Sequence, residues 1–224
     1  KTQKTLNIGV IGKYADLKDA YKSIDESLKI SAMDEQIEIK INYISSEDKE
    51  LIKKLKTMHG ILVPGGFGVR GIEGKIAAIK FARENNIPFF GICLGMQCCV
   101  IEAARNLLGF KGANSTEIDK KNIYPVIEML EEQKNVKYIG GTMRLGNYEA
   151  KLVKGSLASK LYKSNTIVER HRHRYEMNPK YVDMFAKAGF NVTGYHKNVL
   201  PEIVELKNHP FFVGVQFHPE FGAR

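Results

Sequence analysis

Apolar residues in the first half of the chain follow two alternating periods. Short runs such as LNIGVIG, GILVPGG and IPFFGI have the composition of buried strands, and the segments between them place apolar residues three or four positions apart, as on one helix face. Strands that alternate with helices indicate an α/β protein with a mostly parallel central sheet and helices on both faces. The predicted strands are 6–12, 37–44, 60–66 and 87–92, and the predicted helices lie near 21–28, 47–57, 76–82 and 100–108.

The regular alternation of predicted strands and helices ends after Gly109. A polar connection is followed by strand-like pieces around 142–153 and 166–176, a helix near 179–188, and the strands FNVTGY, EIVEL and FFVGVQF. These pieces predict a small antiparallel extension of the sheet. Because no internal repeat, low-complexity tract or flexible linker interrupts the pattern, we expect a single domain over residues 1–224.

Composition and charge narrow the class of protein. The 224 residues are 43% hydrophobic and 26% charged, as in ordinary globular proteins. The net charge of +9 invites a nucleic-acid function, yet many of the lysines lie beside glutamates on predicted helix faces, which is typical of a solvated surface. No apolar stretch is long enough for a bilayer span or a signal peptide. We therefore expect a cytoplasmic protein that binds neither nucleic acid nor membrane.

The stretch GICLGMQCCV holds all three cysteines, too few and too close for a disulfide framework, which favours a reducing compartment. Only Cys93 lies between two glycines, Gly91 and Gly95, where a strand is predicted to meet a helix. This G-x-C-x-G pattern is that of a nucleophile elbow, and a helix N-terminus favours thiolate. The plainer alternative is that the glycines merely let a strand meet a helix. Cys98 and Cys99 fall inside the helix, where we expect them to pack as small apolar residues.

A cysteine nucleophile needs a base and a group that orients the base. His218 and Glu220 end the apolar run VGVQF two positions apart, and in an extended chain such residues point to the same side. His218 is therefore the candidate base and Glu220 the candidate orienting group. The N–H of Leu94, directly after the nucleophile, and the N–H of Gly66 in the loop PGGFG are candidate oxyanion donors.

Two further patterns suggest other chemistry. GFGVRG has the glycine spacing of a dinucleotide-binding loop, but a proline precedes it and no acidic residue ends the next strand. The segment does not match the P-loop motif either. In ERHRHRYE, Arg170, Arg172 and Arg174 would face one side of a strand, and His171 and His173 the other. An anion or carboxylate clamp suits the arginines better than a nucleic-acid strip. No further cysteine or acidic residue is suitably spaced near the histidines, so no metal site is predicted.

Several blocks of the chain together resemble one family. PGGFG, GICLGMQ and QFHPE, in that order, are similar to the class I glutamine amidotransferases. GKYADLKDAYKSI, PGGFGVRGIEGK, ANSTE, GGTMRLG, RHRYEMNP and NHPFFVGVQFHPEF resemble the glutaminase domain of the CTP synthases. The resemblance implies Cys93, His218 and Glu220 as a catalytic triad, with Gly66 and Leu94 as the oxyanion hole. It further implies that glutamine is bound by Gly66, Leu94, Gly95, Met96, Gln97, Glu117 and Arg174.

The family's reaction is hydrolysis of L-glutamine to glutamate and ammonia through a cysteinyl thioester. In the family an N-terminal amidoligase domain uses the ammonia to convert UTP to CTP, and ATP, magnesium and UTP are expected only there. That domain, absent from residues 1–224, would act in cis or in trans, and no cofactor is expected within these residues. GTP is expected as an allosteric activator, and the full enzyme is expected to be a homo-oligomer.

The resemblance also implies a mobile effector lid over the site. It would contain Phe67, Arg70 and Gly71, with Gly68, Gly71 and Gly74 as hinges. Two other functions fit parts of the pattern. The chain could be the glutaminase subunit of another synthase or a γ-glutamyl hydrolase on the same fold, or it could be a non-catalytic nucleotide-sensing module.

Overall fold

A computed structural model describes residues 5–13, 21–129 and 143–222. Position 142, the predicted start of one strand, and most of the GKYADLKDAYKSI block lie outside the described residues. The described strands are β1 (Thr5–Gly12), β2 (Glu38–Ser45), β3 (Gly60–Val63), β4 (Phe89–Ile92), β5 (Asn114–Ser115), β6 (Pro125–Met129), β7 (Arg144–Leu152), β8 (Thr166–His173), β9 (Tyr175–Met177), β10 (Phe190–His196), β11 (Leu200–Leu206) and β12 (Phe212–Val215). The described α-helices are α1 (Lys22–Asp34), α2 (Leu51–Leu55), α3 (Ile72–Glu84), α4 (Leu94–Asn106), α5 (Leu157–Tyr162) and α6 (Val182–Lys187).

Nine strands form one central sheet in the order β2-β1-β3-β4-β12-β11-β10-β7-β8. The strands from β2 to β12 run parallel to their neighbours, and those from β11 to β8 continue the sheet as antiparallel neighbours. A separate three-stranded sheet contains β5, β6 and β9. The predicted α/β fold is confirmed, and its antiparallel part is joined to the parallel part through β12.

Apolar side chains cover both faces of the central sheet. On one face, α2, α3, α4 and α6 enclose a core that includes Phe89 and Ile79. On the other face, α1 and α5 enclose a smaller core that includes Val10 and Phe217. Successive residues of β1 and β3 alternate between the two cores, because neighbouring side chains of a strand point to opposite faces. Helices therefore lie on both faces, as the apolar periods predict.

Helix α2 is shorter than the predicted helix over 47–57. The Ser45 hydroxyl accepts the Glu47 N–H at 3.2 Å, and the Asp48 carboxylate accepts the Glu50 N–H at 2.8 Å. Such side chains compete with helical hydrogen bonds and favour turns, so the helix begins only at Leu51. None of the described helices has the length and apolar character needed to cross a bilayer.

Three parallel strands end side by side at one edge of the central sheet. Val63 of β3 is in register with Gly91 of β4, and Val215 of β12 with Ile92 of β4. The segments that leave these strands are the PGGFG loop, the Cys93 turn and the QFHPE block. Ligands of open parallel sheets bind at this carboxyl edge, so the sheet gathers the three segments where a site is expected.

Candidate active site

Cys93 occupies the turn between β4 and α4, as the sequence predicts. Its backbone has φ 50° and ψ −104°, a conformation that is rare for a residue with a side chain. Its N–H donates to the Val215 carbonyl at 2.7 Å, and its carbonyl accepts the Gln97 N–H at 3.1 Å. These bonds fix the turn to β12 and to α4, and they leave the sulfur at the N-terminal end of α4, where the helix dipole stabilises negative charge.

Gly91 and Gly95 permit close approach of backbone segments. A Cβ on Gly91 would lie 2.7 Å from the backbone carbon of Gly95, and a Cβ on Gly95 would lie 2.1 Å from the Val63 carbonyl oxygen. Neither glycine has a positive φ. A side chain at either position would push α4 away from β3 and β4, and the Cys93 turn would move with it.

Cys98 and Cys99 lie inside α4 and are fully buried, as predicted. Burial raises the pKa of Cys98 to about 12 and the pKa of Cys99 well above its ordinary value. Both thiols therefore stay protonated at neutral pH and pack as small apolar groups. All three cysteines are free.

His218 and Glu220 follow β12 and lie beside Cys93. The His218 N–H donates to the Arg170 carbonyl at 2.8 Å, and Nδ1 of its ring lies 2.8 Å from Oε1 of Glu220. The local backbone is not extended as expected, since Pro219–Phe221 form a short 3₁₀ helix. That helix brings Glu220 back toward the imidazole. The Ser27 hydroxyl of α1 donates to the Glu220 carbonyl at 3.1 Å and holds this segment.

The His218 ring lies between a thiol and a carboxylate. Burial alone would lower its pKa, but hydrogen bonds to Cys93 and Glu220 outweigh burial and raise the pKa of His218 to about 10. The ring stacks on Phe221 with 5.2 Å between centroids. At neutral pH these contacts favour an imidazolium next to Cys93, which is a proton donor in place for a leaving group.

The loop after β3 lies over Cys93 and His218. A Cβ on Gly65 would lie 2.7 Å from Cε1 of His218 and 3.6 Å from Cβ of Cys93, so a side chain there would displace the imidazole. Gly66 is exposed, and a Cβ on it would lie 3.3 Å from Cδ2 of Leu94. The two predicted oxyanion donors are therefore on adjacent segments. Sequence reasoning missed Gly65, whose only signal is its place in the PGG run.

Two glutamine side chains connect α4 to the sulfur. Gln97 donates from Nε2 to the Tyr175 carbonyl at 2.8 Å and to Oε1 of Gln216 at 3.4 Å, and Nε2 of Gln216 lies 3.7 Å from Sγ of Cys93. Sequence reasoning missed Gln216, although it opens the QFHPE block. Met96 is fully buried and packs in the core beneath the carboxyl edge.

Glu117 and Arg174, the predicted partners of the amino-acid end of glutamine, both lie near Tyr175. Burial raises the pKa of the Tyr175 phenol, the Glu117 carboxylate raises it further, and the Arg174 guanidinium lowers it. Because the Tyr175 carbonyl accepts the Gln97 amide, Tyr175 connects the surroundings of these two residues to the segment that follows Cys93. A ligand that carries one positive and one negative charge could bind between two residues of opposite charge.

The predicted effector lid begins with exposed side chains. Phe67 is 74% exposed, and the Nζ of Lys13 lies 5.9 Å from its ring centroid. The Arg70 guanidinium pairs with the Glu47 carboxylate at 2.7 Å. The aromatic face expected to meet a base is thus available to solvent, whereas the arginine is engaged at the surface.

The glycines of this segment have different roles. Gly68 has φ 80° and Gly71 has φ 74°, conformations that favour glycine and suit a hinge. Gly74 instead lies in α3, where a Cβ would be 1.7 Å from the Ser46 carbonyl oxygen. Gly74 is therefore required for close packing against Ser46, and the prediction that it is a hinge is wrong.

The histidines of ERHRHRYE lie in a buried polar cluster. Nδ1 of His171 is 2.9 Å from Nε2 of His173, and Nη1 of Arg144 lies 2.9 Å from Glu176 and 2.6 Å from Glu202. Ligand atoms of His171, His173 and Glu202 all lie within 4.8 Å of one another. Sequence reasoning missed this acidic neighbour because Glu202 comes from β11, which strand pairing rather than chain spacing brings near.

Comparisons with known proteins agree with this geometry. Residues 16–224 match the family described as Glutamine amidotransferase class-I. The chain is 57% identical to a CTP synthase of Cytophaga hutchinsonii over 219 residues, and 53% identical to one of Methanosarcina barkeri over 227 residues. These alignments cover 96% and 100% of the chain but only 41% and 42% of the length of those two proteins.

A solved structure is similar over almost the whole chain. It is described as the Trypanosoma brucei CTPS glutaminase domain with bound acivicin. Its sequence is 40% identical, the TM-score is 0.90, and the match covers 96% of this chain and 86% of that one.

Proposed function

The chain belongs to the class I glutamine amidotransferases, among the glutaminase domains of CTP synthases, and from this premise we propose how its residues hydrolyse L-glutamine. Cys93 is the nucleophile, His218 the acid and base, and Glu220 the group that orients His218. The observation that carries the proposal is that Cys93 and His218 lie against the same glycine, Gly65, while Nδ1 of His218 is 2.8 Å from Oε1 of Glu220.

In the first half of the reaction the Cys93 thiolate attacks the side-chain amide carbon of glutamine, and a carbon–sulfur bond forms. The negative charge moves to the amide oxygen, where the N–H groups of Leu94 and Gly66 would stabilise it. The tetrahedral intermediate collapses, the carbon–nitrogen bond breaks, and the His218 imidazolium gives its proton to the departing ammonia. A glutamyl thioester remains on Cys93.

In the second half water attacks the thioester. The neutral His218 accepts a proton from that water, the carbon–sulfur bond breaks, and glutamate leaves. Glu220 accepts from Nδ1 of His218 and so keeps Nε2 directed to the reacting atoms, as third members of other triads do. Each half-reaction returns His218 to the state that the next one needs.

Recognition of the substrate involves the segment after Cys93 and the charged pair near Tyr175. Glu117 would bind the α-ammonium group of glutamine and Arg174 its α-carboxylate, because each offers the opposite charge. Backbone groups of Gly95 and Met96 would line the path to the sulfur. The Gln97 amide nitrogen is committed to Tyr175 and Gln216, so a contact between Gln97 and glutamine would use its oxygen.

The test is covalent labelling with a diazoketone analogue of glutamine, followed by intact mass measurement and peptide mapping. We expect one adduct per chain, on Cys93, and no adduct on the Cys93→Ser variant. Cys98 and Cys99 should react only after unfolding, because burial keeps them protonated and inaccessible. Equal labelling of all three cysteines in the native chain would contradict the elbow assignment, and absence of labelling would favour a non-catalytic module.

The whole protein would use the ammonia elsewhere. We assign amination of UTP to CTP, with its ATP and magnesium, to an amidoligase domain that acts in cis or in trans, and GTP to activation of the glutaminase through the lid. The resemblance to CTP synthases supports this division, and it also supports a homo-oligomeric full enzyme. Three free cysteines support a reducing location, the cytoplasm.

A further inference from the structure

A buried cluster of charged and polar side chains has no role in the mechanism above. It consists of Arg144, His171, His173, Glu176 and Glu202, which we call the Arg144 cluster, and each of these residues is at least nine-tenths buried. Burial of charges costs more than their pairing returns in many proteins, so such a cluster is a weak source of stability. A conformational role is therefore the better explanation for its presence.

Hydrogen bonds order the two imidazoles. Nδ1 of His173 faces the Tyr175 carbonyl at 3.2 Å, an acceptor, so this nitrogen carries the proton. Nε2 of His173 then accepts from Nδ1 of His171 at 2.9 Å. Burial lowers the pKa of His171 to about 3 and that of His173 well below its ordinary value, so both rings are neutral.

Arg144 connects the rest of the cluster. One nitrogen, Nη1, lies within hydrogen-bond distance of both Glu176 and Glu202, and the guanidinium carbon lies 4.5 Å from the Tyr148 ring centroid. The guanidinium already donates to both of these acidic side chains. A divalent metal held by His171, His173 and Glu202 would be repelled by this cation, and its entry would break the direct His171–His173 bond.

The strands that carry the cluster also touch the active site through their backbone. While the side chains of His171 and His173 enter the cluster, the Arg170 carbonyl accepts the His218 N–H at 2.8 Å and the Arg172 carbonyl lies 3.9 Å from Sγ of Cys93. Strand β8 therefore has two functions: its histidine side chains enter the cluster, and the carbonyls of the adjacent arginines face the active site. A shift of the strand would move both sets of groups together.

Two more backbone contacts follow the same pattern. Next to Glu176, the Tyr175 carbonyl accepts the Gln97 amide at 2.8 Å. The Glu202 carbonyl accepts the Gln216 N–H at 2.8 Å, and the Gln216 side chain contacts Cys93. Every strand that contributes a carboxylate to the Arg144 cluster therefore also holds a group that contacts the elbow or its helix.

We infer that Arg144 is a positioning residue for the glutaminase site: by joining Glu176 to Glu202 it fixes β8, β9 and β11 relative to Cys93 and His218. The inference rests on the proposed function. It assigns to Arg144 no contact with glutamine. Its effect is carried by the carbonyls of Arg170, Arg172 and Tyr175, whose displacement would misalign the base and the glutamine pocket.

The test compares Arg144→Lys with Arg83→Lys in the 224-residue chain. Lysine keeps the charge but replaces the planar guanidinium with a point charge. Arg83 is the control, because it forms a partly buried pair with Glu102 at 2.9 Å between α3 and α4, and its hydrogen bonds go to Glu84 and Glu102 rather than to the β8 carbonyls. The measurements are the labelling rate with the diazoketone analogue, kcat/KM for glutamine, thermal midpoint, and iodoacetamide labelling of Cys98 and Cys99.

We expect Arg144→Lys to slow analogue labelling and lower kcat/KM by about tenfold or more, since small misplacements of reacting groups cost this much. Arg83→Lys should lose similar thermal stability and keep rates within about twofold of wild type. Iodoacetamide should leave Cys98 and Cys99 unmodified in both variants, which shows that the core is intact. If Arg144→Lys exposes these cysteines, the measurements are repeated with the near-isosteric variant Glu176→Gln. We expect the same loss of labelling rate and of kcat/KM in that variant.

Wild-type rates in Arg144→Lys would overturn the inference. If Arg144→Lys has exposed the buried cysteines, wild-type rates in Glu176→Gln would overturn it instead. Equal slowing in Arg83→Lys would also overturn it. Stoichiometric zinc in the purified chain, with activity lost on chelation, would also overturn it and make the cluster a metal site. An unreactive wild-type chain is a different result, because it would refute the proposed function itself.

Discussion

Cys93 is held in a backbone conformation that its side chain disfavours. A residue with a side chain in such a region costs about 1–3 kcal/mol, and here φ is 50° and ψ is −104°. The surroundings over-determine the turn through the bond from Cys93 to Val215 and the tight packing of Gly95 on Val63. The strain follows from placing a sulfur at the end of a buried strand with the first turn of a helix directly behind it.

This strain predicts an inverted order of stability at position 93. In most positions alanine is more stable than glycine by about 0.5–1 kcal/mol. At position 93 we expect Cys93→Gly to be at least as stable as Cys93→Ala, because only glycine adopts this conformation without strain. Urea denaturation of the two inactive variants measures the difference. Greater stability of Cys93→Ala by the ordinary amount would show that the turn is relaxed.

A second prediction concerns the pH dependence of stability through Glu202. Burial raises the pKa of Glu202 to about 8, although Arg144 opposes the change, whereas an ordinary glutamate titrates near 4.5. The folded chain therefore binds one proton more than the unfolded chain between these values, and stability falls as the pH rises. The contribution is fully present below about pH 4.5 and is lost as the pH rises through about 8.

Glu202→Gln isolates this effect, because glutamine resembles the protonated carboxyl group and cannot titrate. Between about pH 6.5 and pH 8 the free energy of unfolding of wild type should fall by about 1.5 kcal/mol relative to Glu202→Gln. Denaturation of both proteins across this range gives the difference. A constant difference, or one that grows with pH, would mean that Glu202 is ionised throughout.

The residues that sequence reasoning found are those with local signals. Cys93 stands between two glycines, and His218 and Glu220 end an apolar run, so their neighbours in the chain reveal them. Glu202 had no such signal, and Gln216, although it opens the QFHPE block, contacts Cys93 only because β12 pairs with β4. Chain spacing cannot show which strands pair, and for that reason no acidic residue was expected near His171 and His173.

At the scale of elements, glycines determine how closely helices approach strands. Gly95 lets α4 touch β3, and Gly74 lets α3 touch the segment after β2, because a Cβ on Gly74 would lie 1.7 Å from the Ser46 carbonyl oxygen. The sequence predicted the elements themselves well where apolar periods are long. It overestimated α2 because the turn-forming side chains of Ser45 and Asp48 outweigh helix propensity.

The close packing of Gly74 predicts the sign of a substitution. In an ordinary helix position glycine to alanine adds about 1 kcal/mol of stability. Gly74→Ala should instead destabilise the chain by about 1–3 kcal/mol, because the new methyl group meets backbone that cannot rotate away. Ala77→Gly in the same helix is the control, because its change in the free energy of unfolding gives the ordinary difference in helix propensity between alanine and glycine. Both variants are measured in the same denaturation series. A stabilising Gly74→Ala would restore the hinge interpretation.

At the scale of the molecule, the order of the strands assembles the site from distant segments. β3, β4 and β12 are neighbours in the sheet although β12 comes last in the chain, and their carboxyl ends deliver the loop, the nucleophile and the base to one edge. The antiparallel strands extend the sheet from β12 and carry the arginines of β8 toward that edge. The family resemblance predicted this assembly, whereas apolar periods alone predicted only alternating elements.

The division of the whole protein predicts how the chain responds to GTP. The chain spans about two fifths of the length of its CTP synthase relatives, and in the proposed full enzyme the amidoligase domain completes the effector site. Here Phe67 is exposed and Arg70 pairs with Glu47. We therefore expect slow glutamine hydrolysis with little response to GTP from this chain, and faster hydrolysis with a strong response once the amidoligase domain is joined to it. The measurement is glutamate release from both proteins across a GTP titration. Phe67→Ala in the longer protein is the control, and we expect this variant to lose the response to GTP. Strong activation of the short chain alone would mean that the effector site is complete within it.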